Sequence, residues 1–416
     1  QKQCQKQKRT PKMTSEVRNN LPFPKNYSPE MLCLDRGEGV YLIDVDDRRY
    51  LDFGAGIAVN ALGYGRADLA DIAATQMRKL IHVSNLFATE PSLKLAQTIL
   101  ADTRELLGTP FAAVHFGNSG AEANESALKY ARLYAHRTRG PGHHKVLVLS
   151  KGFHGRTLGA LSLTPTAKYQ EPFAPLIPGV ESVEHNDVDA LRETLDSTFC
   201  AVFVEVVQGE GGLAVLSEEF ARALNDLCRT HGVLLVADEV QTGLGRTGEF
   251  FASTAVGLKP DIITLSKPLA GGLPLSATVI PESVNELLHV GDHGTTFGGG
   301  PVTTAVALSV WEQLRDPVRR AAIQEAVTTL DYELTRLVEA HACVEGTAGL
   351  GLLRGLVIDD PDRAKEVLPA CRERGLLVLR SGTRVVRIAP PLTISEVEIK
   401  DGCRILGDAL RSVGAG

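Results

Sequence analysis

The chain lacks most of the features that mark specialised proteins. Its seven cysteines (Cys4, Cys33, Cys200, Cys228, Cys343, Cys371, Cys403) are odd in number, widely scattered and free of any Cys-x-x-Cys pair. That excludes a disulfide framework or a thiolate zinc cluster and points to free thiols in a reducing compartment, the cytoplasm. The eleven histidines form no His-Glu-x-x-His and no other ligand-spaced group, so no metal is expected. No apolar run approaches the roughly 18 residues of a membrane span, and the N-terminal stretch has no apolar signal core. A net charge of -6 gives no electrostatic reason to expect nucleic acid or an anionic membrane as partner. The Gly-x-Ser-x-Gly elbow of a hydrolase is missing around Ser119.

What is present describes a globular protein of enzyme size. At 416 residues, 44% of them hydrophobic and 23% charged, the chain has material for more than one core. Residues 1–12, QKQCQKQKRTPK, are a polar basic leader expected to be disordered, with Met13 a candidate natural start. Residues 13–70 are read as the N-terminal part of a small domain, including a hairpin over 39–53 that turns at Asp46-Asp47. Residues 71–315 are read as a large domain in which apolar runs alternate with helices, and residues 316–416 as the C-terminal part of the small α+β domain. The alternation predicts an α/β fold with a mostly parallel sheet flanked by helices.

The chemistry gathers at the predicted strand ends. Val233–Ala237 and Ile262–Leu265 are buried-strand runs, the first ending in Asp238-Glu239 and the second in Ser266-Lys267. Charged residues commonly end strands where the chain meets water. In an open parallel sheet, however, ligands bind beyond the carboxyl ends of the strands, and two opposite charges there on successive strands make a candidate site. Strand alternation points Glu239 away from Asp238, which leaves Glu239 a structural role. Further along this edge, Asn118-Ser-Gly-Ala-Glu122 is spaced as a capping box, a well-made helix start whose bare amides at Gly120 and Ala121 also suit a phosphate. Lys145–Leu149 is followed by Phe153-His-Gly-Arg156, able to clamp a flat ring and an anion, or simply a core aromatic beside a solvated charge. Ala201–Val207 leads to Glu205 and Glu210. The match of Gly243-Leu-Gly-Arg-Thr-Gly248 to a dinucleotide fingerprint fails because Asp238 and Glu239 intervene between strand and glycines and would repel a pyrophosphate. A strand-end lysine, a strand-end aspartate, a phosphate-ready helix start and an aromatic loop are the parts needed to hold pyridoxal 5'-phosphate, whose aldehyde condenses with a lysine and whose ring nitrogen needs an acidic partner.

The segments NSGAEANESALKYAR (118–132), FHGRT (153–157), EVVQGEGG (205–212), VADEVQTGLGRTG (236–248), SKPLAGGLP (266–274), HGTTFGG (293–299) and VVRIAPPL (385–392) resemble the class III, or omega-amino, aminotransferases of fold type I. The resemblance runs through essentially all of the chain after Asn26. It implies that Lys267 bonds the cofactor and shuttles the proton, that Asp238 keeps the pyridine nitrogen protonated, and that Gln241 bonds the ring hydroxyl. It implies that Phe153 stacks on the ring and that Gly120 and Ala121 hold the phosphate together with Thr296 of a neighbouring subunit. The last role implies a homodimer with a composite active site. For substrates it implies that Arg387 binds the carboxylate of glutamate, that Glu210 covers Arg387 when it is not wanted, and that Arg156 and Tyr27 grip the far end.

HVSNLF (82–87) and the NSGAEANE run are most similar to the acetylornithine branch, which implies an amino donor, N2-acetylornithine, and 2-oxoglutarate as acceptor in a ping-pong reaction of arginine biosynthesis. Another omega-amino donor (ornithine, succinylornithine, 4-aminobutyrate or a lysine-pathway amine) and a non-catalytic cofactor-binding homologue stay open. The sequence departs from the family's pattern at Tyr64, Ala67, Val206, Phe297 and Gly300, positions expected near the substrate entrance or a subunit contact.

Overall fold

The computed structural model of the chain describes residues 24–26 and 32–414. The basic leader and Tyr27 lie outside the described residues. Three short strands come first, β1 (Leu34–Glu38), β2 (Tyr41–Asp44) and β3 (Arg49–Asp52), paired antiparallel in sequence. The β2–β3 hairpin turns where the sequence predicts it. Asp47 takes a positive φ of 63°, and Asp44 Oδ1 accepts the Asp46 and Arg48 amides at 2.9 Å, so the turn is closed by its own carboxylate.

Seven strands then build the central sheet: β4 (Phe111–Gly117), β5 (Lys145–Leu149), β6 (Val180–Val183), β7 (Phe199–Val204), β8 (Leu234–Asp238), β9 (Ile262–Leu265) and β10 (Ser276–Pro281). Their spatial order is β4-β10-β9-β8-β7-β5-β6. All neighbours are parallel except β10, which runs antiparallel to both β4 and β9. Helices cover both faces, which is why β7 and β8 read as unbroken apolar runs with every residue buried and no alternation. The predicted strand 201–207 ends earlier, at Val204. From Glu205 the chain leaves the sheet, and Val206, expected near the substrate entrance or a subunit contact, is packed in the core.

The C-terminal part holds β11 (Val344–Leu350), β12 (Leu353–Ile358), β13 (Leu376–Leu377), β14 (Leu379–Ser381) and β15 (Val385–Ile388). The stretch Leu376–Ser381 is divided between two sheets: β13 pairs parallel with β3, while β14 pairs with β15 in the sheet β11-β12-β15-β14. Val378, between them, is the point at which the chain changes sheets. β11 is absent from the sequence reading because glycines interrupt its apolar pattern. The longest helix, Pro317–Ala340, is also absent from it, since its apolar residues make only a weak stripe. Its start is nonetheless well specified by Asp316, whose carboxylate caps the Arg319 amide at 3.0 Å, and by Pro317 in the first turn.

The first and last parts of the chain meet at Phe53. The residue follows β3, is fully buried, and lies under the helix Glu396–Gly414. Gly402 of that helix has no space for a side chain, because a Cβ there would stand 2.0 Å from Phe53 Cζ. Gly402→Ala would gain about 1 kcal/mol in helix propensity but overpack the core by roughly 1–3 kcal/mol. The steric term wins, so the variant is expected to melt below wild type in a thermal scan; an equal or higher midpoint would show that Phe53 can move aside.

Candidate active site

The parallel register fixes where the candidate residues emerge. Ala237 of β8 is level with Val204 of β7, and Asp238 is level with Thr264 of β9. The loops after β5, β7, β8 and β9 therefore open on one edge of the sheet. The helix Gly120–Arg139, entered from β4, starts at the same edge. A cavity of about 280 Å³ lies there, lined among others by Gly120, Ala121, Phe153, Arg156, Glu210, Asp238, Gln241 and Lys267. Lys267 stands just past β9 in a turn closed by the Leu269 amide donating to the Ser266 carbonyl at 2.7 Å.

Asp238 is held by a buried network that the sequence reading does not identify. Its Oδ2 accepts from His154 Nδ1 at 2.8 Å and from Asn124 Nδ2 at 2.7 Å, and its Oδ1 accepts from the Val240 amide at 3.1 Å. Asn124 is fixed in turn by Thr264 Oγ1, which donates to its Oδ1 at 2.9 Å, and by its own Nδ2 donating to the His154 carbonyl at 2.8 Å. Burial would lower the His154 pKa, but the hydrogen bond to Asp238 and the charges of Asp238 and Glu205 outweigh it and raise the value. Burial lowers the Lys267 amine, against the opposing pull of Asp238, Glu205 and Glu210. A depressed amine is the form suited to nucleophilic attack and to carrying a proton.

Glu205 bridges two loops, accepting the Phe153 amide on Oε1 at 2.7 Å and the Gly209 amide on Oε2 at 3.1 Å. A Cβ at Gly209 would lie 2.2 Å from Gln241 Oε1, so a side chain there would displace the Gln241 amide. Arg387, on β15 and only 4% exposed, donates from Nη1 to Glu210 Oε1 at 2.6 Å and to the Gly209 carbonyl at 2.8 Å. The guanidinium of Arg156 lies 3.7 Å over the Tyr169 ring and 5.5 Å from the Phe153 centroid; Phe153 is half-buried and Arg156 exposed, and both line the cavity.

Thr296 does not join its own chain's cavity. It lines a separate small cleft with His82, Asn85 and Phe87, where Asn85 Nδ2 donates to the Thr295 and Gly298 carbonyls. Phe297, one of the departures, is 68% exposed beside it. Tyr64, another, donates from its hydroxyl to Asp52 Oδ2 at 2.6 Å.

The capping box is shifted by one position. Ser119 Oγ takes the Glu122 amide at 3.3 Å, but the Glu122 carboxylate reaches back to the Asn118 amide at 2.7 Å rather than to that of Ser119. Glu239 points away from the cavity, as alternation requires, and accepts from the Ala252 and Ser253 amides and from the hydroxyls of Ser253 and Thr242. In the glycine fingerprint, Arg246 is fully buried and donates from Nη1 to the Leu352 and Pro390 carbonyls at 3.2 and 2.6 Å. The motif, expected to shape the loop around the cofactor, also ties that loop to the C-terminal strands.

Residues 23–410 match the family model for aminotransferase class-III. The chain is a class III aminotransferase. It is 42% identical over 390 residues to the acetylornithine aminotransferase of Mycolicibacterium smegmatis, covering 93% of this chain and 96% of that one. It is 41% identical over 394 residues to the mitochondrial acetylornithine aminotransferase of Yarrowia lipolytica, covering 92% and 93%. Among solved structures, the N-acetylornithine aminotransferase of Stenotrophomonas maltophilia K279a superposes with a TM-score of 0.80 at 30% identity, covering 92% of this chain and 96% of that one. As a class III enzyme it is a transaminase dependent on pyridoxal 5'-phosphate, and its fold is the mostly parallel sheet with flanking helices that the sequence predicts.

The residues of the cavity fit that group. Buried Asp238 and half-buried Lys267 line the same cavity, Phe153 and Val240 supply apolar surface, and Gln241 Oε1 is buried with no hydrogen-bond partner. An orphaned buried acceptor of this kind is costly unless a ligand satisfies it.

Glu205 gives this aminotransferase a measurable pH signature. Burial, opposed by His154 and reinforced by Asp238, pushes its carboxyl from the ordinary 4.5 up to about 7. A raised carboxyl stabilises the fold below its unfolded pKa, and that stabilisation is lost as pH rises through the folded value. Glu205→Gln removes the titration. From about pH 5 to about pH 8 wild type is expected to lose roughly 2 kcal/mol relative to the variant in denaturant titrations; parallel pH profiles would contradict the assignment.

Proposed function

We propose that this aminotransferase moves the terminal amino group of N2-acetylornithine to 2-oxoglutarate, donor and acceptor using one cavity in turn. The observation that carries the reading is the convergence on one cavity of Lys267, Asp238 and Glu210, the last paired at 2.6 Å with the buried Arg387 behind it. The acetylornithine names of relatives at 41% and 42% identity support the choice of donor.

When bound, pyridoxal 5'-phosphate supplies an electron-accepting ring that stabilises negative charge on the substrate carbon. Lys267 Nζ is the covalent anchor and, once displaced by substrate, the base that carries the proton. The Asp238 carboxylate, oriented by His154 and Asn124, keeps a proton on the ring nitrogen. Gln241 accepts from the ring hydroxyl, Phe153 covers the ring face, and the Gly120 and Ala121 amides at the helix start receive the phosphate. Arg387 binds the carboxylate of glutamate or 2-oxoglutarate through its planar fork, which a lysine would lack. Glu210 neutralises Arg387 while the omega-amino donor occupies the cavity. Arg156, with Tyr27, holds the far end of the donor.

Thr296 is assigned to the phosphate of a neighbouring subunit's site, which makes the enzyme a homodimer. The scattered buried thiols support a reducing compartment, the cytoplasm.

Borohydride reduction of the cofactor-loaded protein, followed by peptide mapping, is expected to place the label on Lys267; label elsewhere would defeat the assignment. In a panel of omega-amino donors, N2-acetylornithine is expected to exceed ornithine and 4-aminobutyrate by at least about tenfold in kcat/KM, and comparable rates would sink the choice of donor. Subunit sharing is tested by mixing Lys267→Ala and Thr296→Ala chains. In a shared dimer one of the two sites combines a native lysine with a native partner threonine, so activity is expected to rise above either variant alone; no gain after verified subunit exchange would argue for self-contained sites.

A further inference from the structure

Arg387 faces two demands, since it must be covered by Glu210 for one substrate and exposed for the other without losing its own position. The geometry shows what holds it when Glu210 leaves. Its Nη1 also donates to the Gly209 carbonyl at 2.8 Å. That carbonyl is fixed from the other side by Ser381 Oγ at 2.7 Å, while Ser381 Oγ accepts from the Gly212 amide at 2.9 Å. The next residue, Gly382, donates its amide to the Glu210 carbonyl at 3.0 Å. Ser381 is fully buried at the end of β14, the strand paired directly with β15, where Val385 faces it and Arg387 lies two residues on. The amide of Gly209 is held by Glu205. The backbone of the 209–212 loop is thus clamped on both sides, and Glu210 can release Arg387 only by swinging its side chain, which is 41% exposed.

We propose that Ser381 is a positioning residue for substrate selection: by fixing the Gly209 carbonyl it keeps the Arg387 guanidinium in place when Glu210 swings away, so that the carboxylate of the amino acceptor meets a preset fork. Both bonds of the guanidinium are made by Nη1, and Nε is buried without a partner, so the arrangement leaves donor capacity on Arg387 for that carboxylate. The inference rests on the functional reading above, in which Arg387 serves the dicarboxylate substrate and is covered for the amine donor. It goes beyond that reading in assigning the control of Arg387 to a residue that touches neither substrate nor cofactor.

The two half-reactions separate a positioning role from a structural one. In Ser381→Ala, followed by the absorbance change of the bound cofactor under single-turnover conditions, the concentration of glutamate giving half-maximal rate is expected to rise about tenfold, the effect of one lost buried hydrogen bond acting through Arg387. The half-reaction with N2-acetylornithine, in which Arg387 stays covered, is expected to change less than about twofold. That second reaction also reports whether the variant has folded and loaded its cofactor. Equal losses in both half-reactions would reduce Ser381 to a structural residue and overturn the proposal, as would no change in either. Combining Ser381→Ala with Arg387→Ala should add nothing to the loss with glutamate caused by Arg387→Ala alone, and an additive loss would also overturn it. If wild type shows no half-reaction with glutamate, the functional reading fails and this inference with it; a normal wild type with an unaltered variant defeats this inference only.

Discussion

The site depends on the register of four parallel strands. Because β5, β7, β8 and β9 run in one direction and are level at their carboxyl ends, residues far apart in sequence leave the sheet at one edge. Phe153, Glu205, Asp238 and Lys267 are brought together by that constraint and by no local one. A slip of one residue in β8 would turn Asp238 to the face now occupied by Glu239, exchanging a carboxylate in the cavity for one sealed among the Ala252 and Ser253 amides. The apolar, fully buried composition of β7 and β8 is what makes such a slip costly, since every side chain would have to repack.

Setting several charges at one buried edge requires that each be compensated. Asp238 is compensated by three donors, Glu205 by two backbone amides, and Arg387 by Glu210 and a carbonyl. Removing a partner from such a set costs more than the pair contributes, because it leaves a desolvated charge without an answering group. Lys267 differs in kind. Burial lowers its affinity for a proton, which favours the neutral amine required for attack on an aldehyde. Desolvation that would be a liability at a purely structural lysine would be the source of reactivity in the role proposed for Lys267.

The sheet and the placement of Lys267 and Asp238 at its edge were legible because both are written locally. A buried strand is a short apolar run bounded by turns, and Lys267 and Asp238 directly follow such runs. The hairpin at Asp46-Asp47, the helix start at Ser119 and the alternation of Asp238 with Glu239 are readable for the same reason. What could not be read depends on three-dimensional partners. His154 stands in the same short loop as Phe153 and Arg156, yet its bond to Asp238 spans 84 residues and has no local signal. The apolar run places Val206 inside a strand over 201–207, yet β7 ends at Val204 and Val206 is buried beyond the sheet. The helix Pro317–Ala340 carries its evidence in the Asp316-Pro317 start rather than in its apolar pattern, so a search by periodicity passes over it. The division of Leu376–Leu379 between two sheets has no signature within the segment, because both partners, β3 and β15, lie elsewhere in the chain.

The same distinction orders the parts of the site by how they tolerate change. Groups that act on the ring are anchored on the central sheet or at its loop roots, with little freedom to move. Arg387 instead comes from β15, and the Ser381–Gly382 clasp from the neighbouring β14. On the proposed reading, selection between substrates would be mounted on a different sheet from the chemistry; the two sheets meet at the peptide of Gly209, held by Glu205 through its amide and by Ser381 and Arg387 through its carbonyl. A displacement of the C-terminal strands would alter the fork offered to a carboxylate while leaving Asp238 and its partners in register. On the proposed reading, that separation would let one cavity accept two unlike substrates in turn: the sheet edge would stay constant, and the 41% exposed Glu210 carboxylate would change what the cavity presents.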